Sequence, residues 1–311
     1  MEDLDLINKF KDYLLAVRNY SLYTVNNYAK DVKEFSEFLR EYKMARNLLG
    51  VNRDRVCHNY LSELVRKGYA AKTVNRKISS LRTFYNYLLN EKLVDYNYFT
   101  EVKNVKTPKK LPSFVDEDEI IDIIDSIDTN SDLGFRNKIL IELLYATGMR
   151  VSEVCSLEVS QIDFYNDTIK VFGKGKKDRM VIMYESLSDN LKYYVSFTRS
   201  NLLAKSGNVE IRNVFINYKG GPLTPRGVRK IINSVIDKCA INKHVSPHMI
   251  RHSFATSLLN HGVDLRSVQE LLGHESLSTT QVYTHVSYET IKTSYQIAHP
   301  RAMKIDEKKK K

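Results

Sequence analysis

The sequence is poor in cysteine, and the few it has are not placed to act together. Its three cysteines, Cys57, Cys155 and Cys239, lie far apart, and no Cys-x-x-Cys pair occurs in the 311 residues. This spacing gives no support to a zinc site or to a disulfide framework, so we expect no metal. Isolated cysteines are typical of the reducing cytosol, and we expect a cytoplasmic protein.

Long apolar runs and nucleotide-binding loops are also missing. No run approaches the roughly 20 residues that a membrane-spanning helix needs, and residues 1–5 are too acidic for a secretory signal. No Gly-x-x-x-x-Gly-Lys-Ser/Thr segment occurs, so nucleotide hydrolysis is unsupported. We therefore expect neither a membrane partner nor an ATP cofactor.

Positive charge is what the sequence has in excess. The formal net charge is +11, which favours a polyanionic partner such as nucleic acid. Residues 1–110 carry 21 Lys and Arg against 13 Asp and Glu, whereas residues 116–132 are acidic. The basic first third therefore indicates a part of the chain that binds DNA.

Helical periodicity and a linker divide the chain. Apolar residues recur at helical spacing in four early segments, 4–18, 21–39, 51–67 and 71–90. Two prolines and four lysines in residues 103–112 are typical of a linker. The predicted layout is a helical domain at 1–106, a linker at 107–112, a mostly helical α/β domain at 113–300 and a basic tail at 301–311.

Two groups of basic residues are candidates for DNA contacts. The basic residues of the fourth helix, which has no acidic residue before Glu91, are Lys72, Arg76, Lys77 and Arg82. A charged helix face is often merely solvated, but the absence of acidic residues favours DNA. The second group is Arg226 and Arg229, which follow the helix start that Thr224-Pro225 indicates.

Six residues in the second half have the chemistry that phosphodiester cleavage needs without a metal. They are Arg150, Lys174, His248, Arg251, His274 and Tyr283. Arginines neutralise the non-bridging oxygens of a phosphate, and a tyrosine hydroxyl can act as a nucleophile that holds the phosphate covalently. Imidazoles and an amine can transfer protons.

Each of these residues also has an ordinary interpretation. Arg150 and Glu153, three apart, could form a surface ion pair, or Glu153 could hold the guanidinium toward a phosphate. Lys174 lies in a predicted hairpin loop, where most lysines are solvated, and His274 follows a helix end, where it could cap the helix. Tyr283 is one of 20 tyrosines. Only the combination is informative.

Several segments resemble the signature boxes of tyrosine recombinases, and most of all those of the Xer group. The segments are residues 146–153 (ATGMRVSE), 173–179 (GKGKKDR), 246–256 (SPHMIRHSFAT), 271–274 (LLGH) and 279–285 (TTQVYTH). All six positions that are catalytic in the family are filled, in order. One departure is Asn97-Tyr98, where Xer proteins often have Asn-Pro.

The resemblance implies a mainly α fold with a small β-sheet, in which a helical core-binding domain precedes an α/β catalytic domain. It also implies that Tyr283 forms a 3′-phosphotyrosyl link, that Lys174 is the general acid and that His274 assists. Because the covalent link conserves the bond energy, no cofactor is expected. The implied partners are a double-stranded recombination site, a second recombinase of the family in a tetramer, and a septal DNA translocase.

The implied biological role is the resolution of chromosome dimers at cell division. Three alternatives remain open. A mobile-element integrase would use the same chemistry at another site. A type IB topoisomerase would relax supercoils without recombination, and an architectural DNA-binding protein would form no covalent adduct. The resemblance further implies that a last helix near 287–297 docks into a neighbouring protomer.

Overall fold

The structure is a computed structural model that describes residues 2–107, 115–172, 178–205, 207, 210–239, 245–273 and 288–302, without the side chains of 288–291. The chain forms two compact units, Met1–Leu111 and Pro112–Lys311, each with its own hydrophobic core. The domain limits drawn from the sequence stay a prediction.

The first unit is helical. Its helices are α1 (Asp3–Ala16), α2 (Leu22–Glu41), α3 (Asp54–Arg66) and α4 (Ala71–Asn90). As the sequence indicates, α2 begins at Ser21, whose hydroxyl accepts a hydrogen bond from the amide of Thr24 at 3.2 Å. Aromatic rings fill the core, with Phe35 packed edge-on against Phe99 at 5.2 Å between centroids.

Asn97 organises the segment that follows α4. Its side-chain amide donates to the carbonyl oxygen of Arg82 at 3.0 Å and to Asn86 at 2.7 Å, while its Oδ1 accepts from the amide of Phe99. The residue is buried. Hydrogen bonds from Asn97 therefore hold the backbone at the position where the family often has Asn-Pro.

The second unit combines helices with a small sheet. Its elements are α5 (Glu117–Asp125), α6 (Asp132–Thr147), α7 (Val151–Ser156), β1 (Ile162–Asp163), β2 (Thr168–Phe172), β3 (Asp178–Ile182), α8 (Glu185–Tyr193), α9 (Arg199–Ala204), α10 (Pro225–Lys238), α11 (Pro247–Asn260), α12 (Leu265–Leu272) and α13 (Tyr288–Ala298). The strands pair antiparallel in the order β1-β2-β3. The predicted mainly α fold with a small sheet is confirmed.

Helix α6 is the centre of the second core. Its residues from Ile139 to Thr147 are buried on every side, as expected for a helix enclosed by other elements. It ends at Gly148, which has φ +58°. A Cβ there would lie 2.5 Å from the ring of Phe254 on α11, so α6 and α11 approach closely at this glycine.

Helix α13 packs on its own unit in this single chain. Tyr295 and Ala298 belong to the second core, and Arg301 donates to Glu142 on α6 at 3.0 Å. Docking of this helix into a neighbouring protomer concerns an assembly and stays a prediction. Within the described residues, no helix is both long and apolar enough to cross a membrane.

Candidate active site

The site is built around the C-terminal end of α12. This helix begins at Asp264, whose carboxylate accepts hydrogen bonds from the amides of Arg266 and Ser267, and it ends at Gly273 with φ +64°. The last carbonyl groups of a helix have no partner within the helix and carry partial negative charge. They are therefore natural acceptors for cationic side chains.

Three arginines donate to three consecutive carbonyl oxygens at this helix end. Arg179 Nε lies 3.0 Å from the oxygen of Leu271. Arg251 Nη2 lies 2.7 Å from that of Leu272. Arg150 Nη2 lies 3.2 Å from that of Gly273. The end of α12 thus gathers arginines from the start of α7, from β3 and from α11.

Glu153 links two of these arginines. Its Oε1 accepts from Arg150 Nη1 and Arg179 Nη1, both at 2.9 Å, and its Oε2 accepts from Arg179 Nη2 at 2.8 Å and from the amide of Arg150 at 2.7 Å. Burial acts to raise the pKa of Glu153, but hydrogen bonds from Arg179 and Arg150 outweigh it and hold the pKa below its ordinary value. The carboxylate is therefore ionised at neutral pH.

Arg251 is buried on α11, one turn into the helix. Besides Leu272, its guanidinium donates to the carbonyl oxygen of Gly148. Burial, followed by the charge of Arg150, lowers the pKa of Arg251 to about 10, so it stays charged at neutral pH. Among the described residues, Glu153 is the one carboxylate that binds these arginines, and the excess positive charge suits a phosphodiester.

His248 lies one turn before Arg251 and is exposed. Its helix begins with Ser246 as the N-cap and Pro247 in the first turn, where proline is favoured. Arg150 is also accessible, with 41% of its side chain exposed. Of the predicted six, the structure brings Arg150 and Arg251 together at the end of α12 and sets His248 on the helix of Arg251.

Three predicted residues, Lys174, His274 and Tyr283, lie outside the described residues. The residues that flank the segment of Lys174 are described, as is the residue before His274. Lys174 belongs to the five residues between the paired Phe172 and Asp178, and His274 is the residue after Gly273. The roles of these three residues stay predictions.

Helix α4 of the first unit corrects the prediction of one four-residue DNA-binding face. Lys77 is buried, and its ammonium group donates to Asp31 at 3.2 Å and to Glu34. Lys77 therefore belongs to a buried ion-pair cluster, and its charge is unavailable to a phosphate in this conformation. The sequence pattern failed here because the acidic partners lie on α2, more than 40 residues away.

The other residues predicted to contact DNA differ in how far their side chains are exposed. Lys72 is exposed, and Arg76 is 44% exposed although it pairs with Asp31. Arg82 is half-buried and donates to the carbonyl oxygens of Phe99 and Val102. In the second unit, Arg226 and Arg229 are both exposed on the first turns of α10. These roles also stay predictions.

Arg179 is the residue of this site that the sequence did not single out. It lies at the end of a signature box, but one arginine near the start of a strand gives no sign of its partners. Only the tertiary structure brings it to Glu153 and Leu271. Within the described part of the chain, no group of three His, Cys, Asp or Glu residues is placed to hold a metal ion.

Comparison with known sequences now settles the family. The profile of the phage integrase family matches residues 113–290, and that of the phage integrase N-terminal SAM-like domain matches residues 7–92. The chain belongs to the phage integrase family. The two matched segments fall in the two structural units, one in each.

Individual tyrosine recombinases are similar to this chain over almost its whole length. The chain is 44% identical over 297 residues to tyrosine recombinase XerC of Halalkalibacterium halodurans, which covers 95% of this chain and 97% of that protein. It is 42% identical over 305 residues to XerC of Bacillus subtilis, covering 96% and 98%. The predicted tyrosine recombinase of the Xer group, most like XerC, is confirmed.

Solved structures of the phage integrase family share the fold. XerH site-specific recombinase bound to difH substrate, in a pre-cleavage complex, has a TM-score of 0.65 and 25% identity, covering 96% of this chain and 84% of that chain. A lambda integrase dimer bound to a core site has a TM-score of 0.63 at 16% identity, covering 92% and 100%. The second likeness shows the fold alone.

Proposed function

We propose that this chain is a site-specific DNA recombinase that cuts and rejoins DNA through a 3′-phosphotyrosyl intermediate. The observation that carries the proposal is the meeting of Arg150 and Arg251 at the end of α12, directly before His274. Two guanidinium groups held by fixed acceptors give a preorganised site for the extra charge that develops on a phosphate during transfer. The similarity to XerC proteins supports the same chemistry.

The proposed reaction is a transesterification. Arg150, Arg251 and His248 bind the non-bridging oxygens of the scissile phosphate. The phenolic oxygen of Tyr283 forms a bond to phosphorus as the bond from phosphorus to the 5′ oxygen breaks. Lys174 gives a proton to the departing 5′ oxygen, which leaves the DNA 3′ phosphate on the tyrosine.

His274 completes the proposed site, either by donating to the phosphate or by helping to deprotonate Tyr283. Rejoining reverses the step, since a 5′ hydroxyl from the exchanged strand attacks phosphorus and releases the phenol. The number of phosphodiester bonds does not change, so the reaction consumes no ATP. Glu153 supports it by holding Arg150 at 2.9 Å.

We further propose that the substrate is a double-stranded recombination site and that the product is a resolved chromosome dimer, in the cytoplasm. Four protomers would assemble on two duplexes, with a second, XerD-like recombinase of the family, under the control of a septal DNA translocase. Similarity to XerC over 95% of the chain favours this role over that of a mobile-element integrase.

The test is adduct formation on a nicked duplex. A duplex that the protein selects from fragments of its own chromosome is nicked beside the scissile phosphate, so that the cleaved strand diffuses away and the covalent complex accumulates. Denaturing electrophoresis should show a protein–DNA adduct. Tight binding without any adduct would leave an architectural DNA-binding protein, and supercoil relaxation without strand exchange would indicate a topoisomerase.

A further inference from the structure

All three guanidinium nitrogens of Arg179 donate hydrogen bonds to protein groups of the site. Two nitrogens bind the two oxygens of Glu153, at 2.9 and 2.8 Å, and the third binds the carbonyl oxygen of Leu271 at 3.0 Å. Only 10% of the side chain is exposed. A bidentate pair with a third bond in the same plane is the geometry that only arginine supplies. Arg179 is thus placed to hold protein groups rather than a phosphate.

The groups it holds are those on which the proposed reaction depends. Glu153 also binds the guanidinium and the amide of Arg150. Leu271 belongs to the last turn of α12, two residues before Gly273. Gly273 lies so close to Arg179 that a Cβ there would be 3.0 Å from the arginine Cδ. Through these contacts the side chain of Arg179 fixes both Arg150 and the point from which the chain continues into His274.

The backbone of Arg179 is anchored near the start of strand β3. Arg179 is the second residue of β3, the strand that begins four residues after Lys174 in the sequence. Its backbone is paired in the sheet, opposite Val171 of β2. The same residue therefore connects the strand that follows Lys174 with the helix end that precedes His274.

We propose that Arg179 is a positioning residue for the cleavage reaction, which it serves by binding Glu153 and the carbonyl oxygen of Leu271 and so fixing Arg150 and the end of α12. This inference rests on the proposed function. Without Arg179, the buried carboxylate of Glu153 would keep Arg150 as its one cationic partner among these four side chains. Arg150 would then be drawn toward Glu153 and away from the phosphate.

The experiment measures single-turnover cleavage of the nicked duplex at saturating DNA by the full-length chain and its variants. Arg179→Ala should cleave about 10²-fold more slowly, the order of effect expected when catalytic groups are displaced by about 1 Å. Its affinity for DNA should change less than about threefold, because Arg179 is not proposed to touch phosphate. Arg179→Lys keeps the charge but cannot make the three hydrogen bonds, so its cleavage rate should lie between those of Arg179→Ala and the parent.

Arg199→Ala is the matched control. Arg199 is partly buried and, like Arg179, donates to backbone carbonyl oxygens, here those of Asn213 at 2.9 Å and Ile211 at 2.6 Å. Its loss should lower the melting temperature but leave the cleavage rate at saturating DNA unchanged. Millimolar guanidinium should restore part of the activity of Arg179→Ala, with sodium at equal ionic strength as the control.

The outcomes separate the two proposals. If the parent forms no adduct, the proposed function fails. If the parent forms an adduct and Arg179→Ala or Arg179→Lys cleaves at the parental rate, the positioning role is overturned while the function stands. Equal losses of rate in Arg199→Ala and Arg179→Ala would likewise overturn it, because the effect would then be one of general stability. If Arg179→Ala does not fold, the cleavage rate of Arg179→Lys decides whether the positioning role stands.

Discussion

Arg251 Nη2 lies 2.7 Å from the carbonyl oxygen of Leu272, and the same guanidinium donates to the carbonyl oxygen of Gly148. One buried side chain on α11 therefore satisfies acceptors at the ends of both α6 and α12. A residue with these bonds contributes to the fold before any DNA is bound. If Arg251 also binds the scissile phosphate, its removal has two separable consequences.

The first prediction compares Arg251→Ala with Arg150→Ala. Both should slow cleavage about 10³-fold, as for other arginines that stabilise phosphoryl transfer. Arg251→Ala should also cost roughly 1–3 kcal/mol of unfolding free energy, because it leaves buried carbonyl groups without partners. Arg150 is 41% exposed, so Arg150→Ala should cost less stability. Single-turnover cleavage and urea denaturation of the same preparations test this, and an Arg150→Ala variant that cleaves at the parental rate would make Arg150 structural only.

The second prediction concerns the nucleophile. Tyr283→Phe should abolish the covalent adduct and keep DNA binding, since only the hydroxyl is lost. Denaturing electrophoresis and a mobility shift on the same duplex are the two measurements. An adduct that persists would move the nucleophile elsewhere, to Tyr288 first, because Tyr295 is buried in the second core.

Local signals predicted where helices begin and end. Ser21, Thr224, Ser246 and Asp264 each accept a hydrogen bond from an amide in the first turn of the helix they precede, and serine, threonine and aspartate are the residue types preferred at this position. Gly148 ends α6 with a positive φ. These features depend on residues a few positions apart, so a single sequence contains them.

Contacts between segments that are far apart in the chain could not be predicted from the sequence. The partners of Lys77 lie on α2, and the partners of Arg179 lie on α7 and α12. A basic residue on a helix or strand has the same local pattern whether it faces solvent, DNA or a buried carboxylate. The charge pattern of α4 therefore indicated DNA contacts for all four residues, although one of them is buried.

The third prediction separates the residues of α4. Lys72→Ala should reduce the slope of log affinity against log salt by about 0.9, the effect of one phosphate contact. Lys77→Ala should leave the slope unchanged and cost about 3 kcal/mol of stability, because it leaves Asp31 and Glu34 without this buried partner. Salt titrations of binding and urea denaturation distinguish them. A reduced slope in the Lys77 variant would mean that this lysine reaches DNA in the complex.

The last prediction concerns His299, which is fully buried after α13. Its ring lies among those of Tyr145, Tyr184 and Tyr295, with centroids 5.1 to 5.5 Å apart. Burial, together with the charge of Arg301, lowers the pKa of His299 to about 3. The unfolded chain takes up this proton near pH 6.5, whereas the folded chain does so only near pH 3. Between these values the unfolded state binds more protons, so stability falls as the pH falls.

The loss should be on the order of 1 kcal/mol for each pH unit below about 6.5. Scanning calorimetry of the full chain from pH 7 to pH 4 measures it as a falling transition temperature. His299→Phe keeps an aromatic ring without a titrating group and should flatten the dependence of that transition. His252→Phe, at an exposed position of α11, is the matched control and should leave the dependence as it is. An unchanged pH profile in the His299 variant would mean that other groups cause the acid sensitivity of this unit.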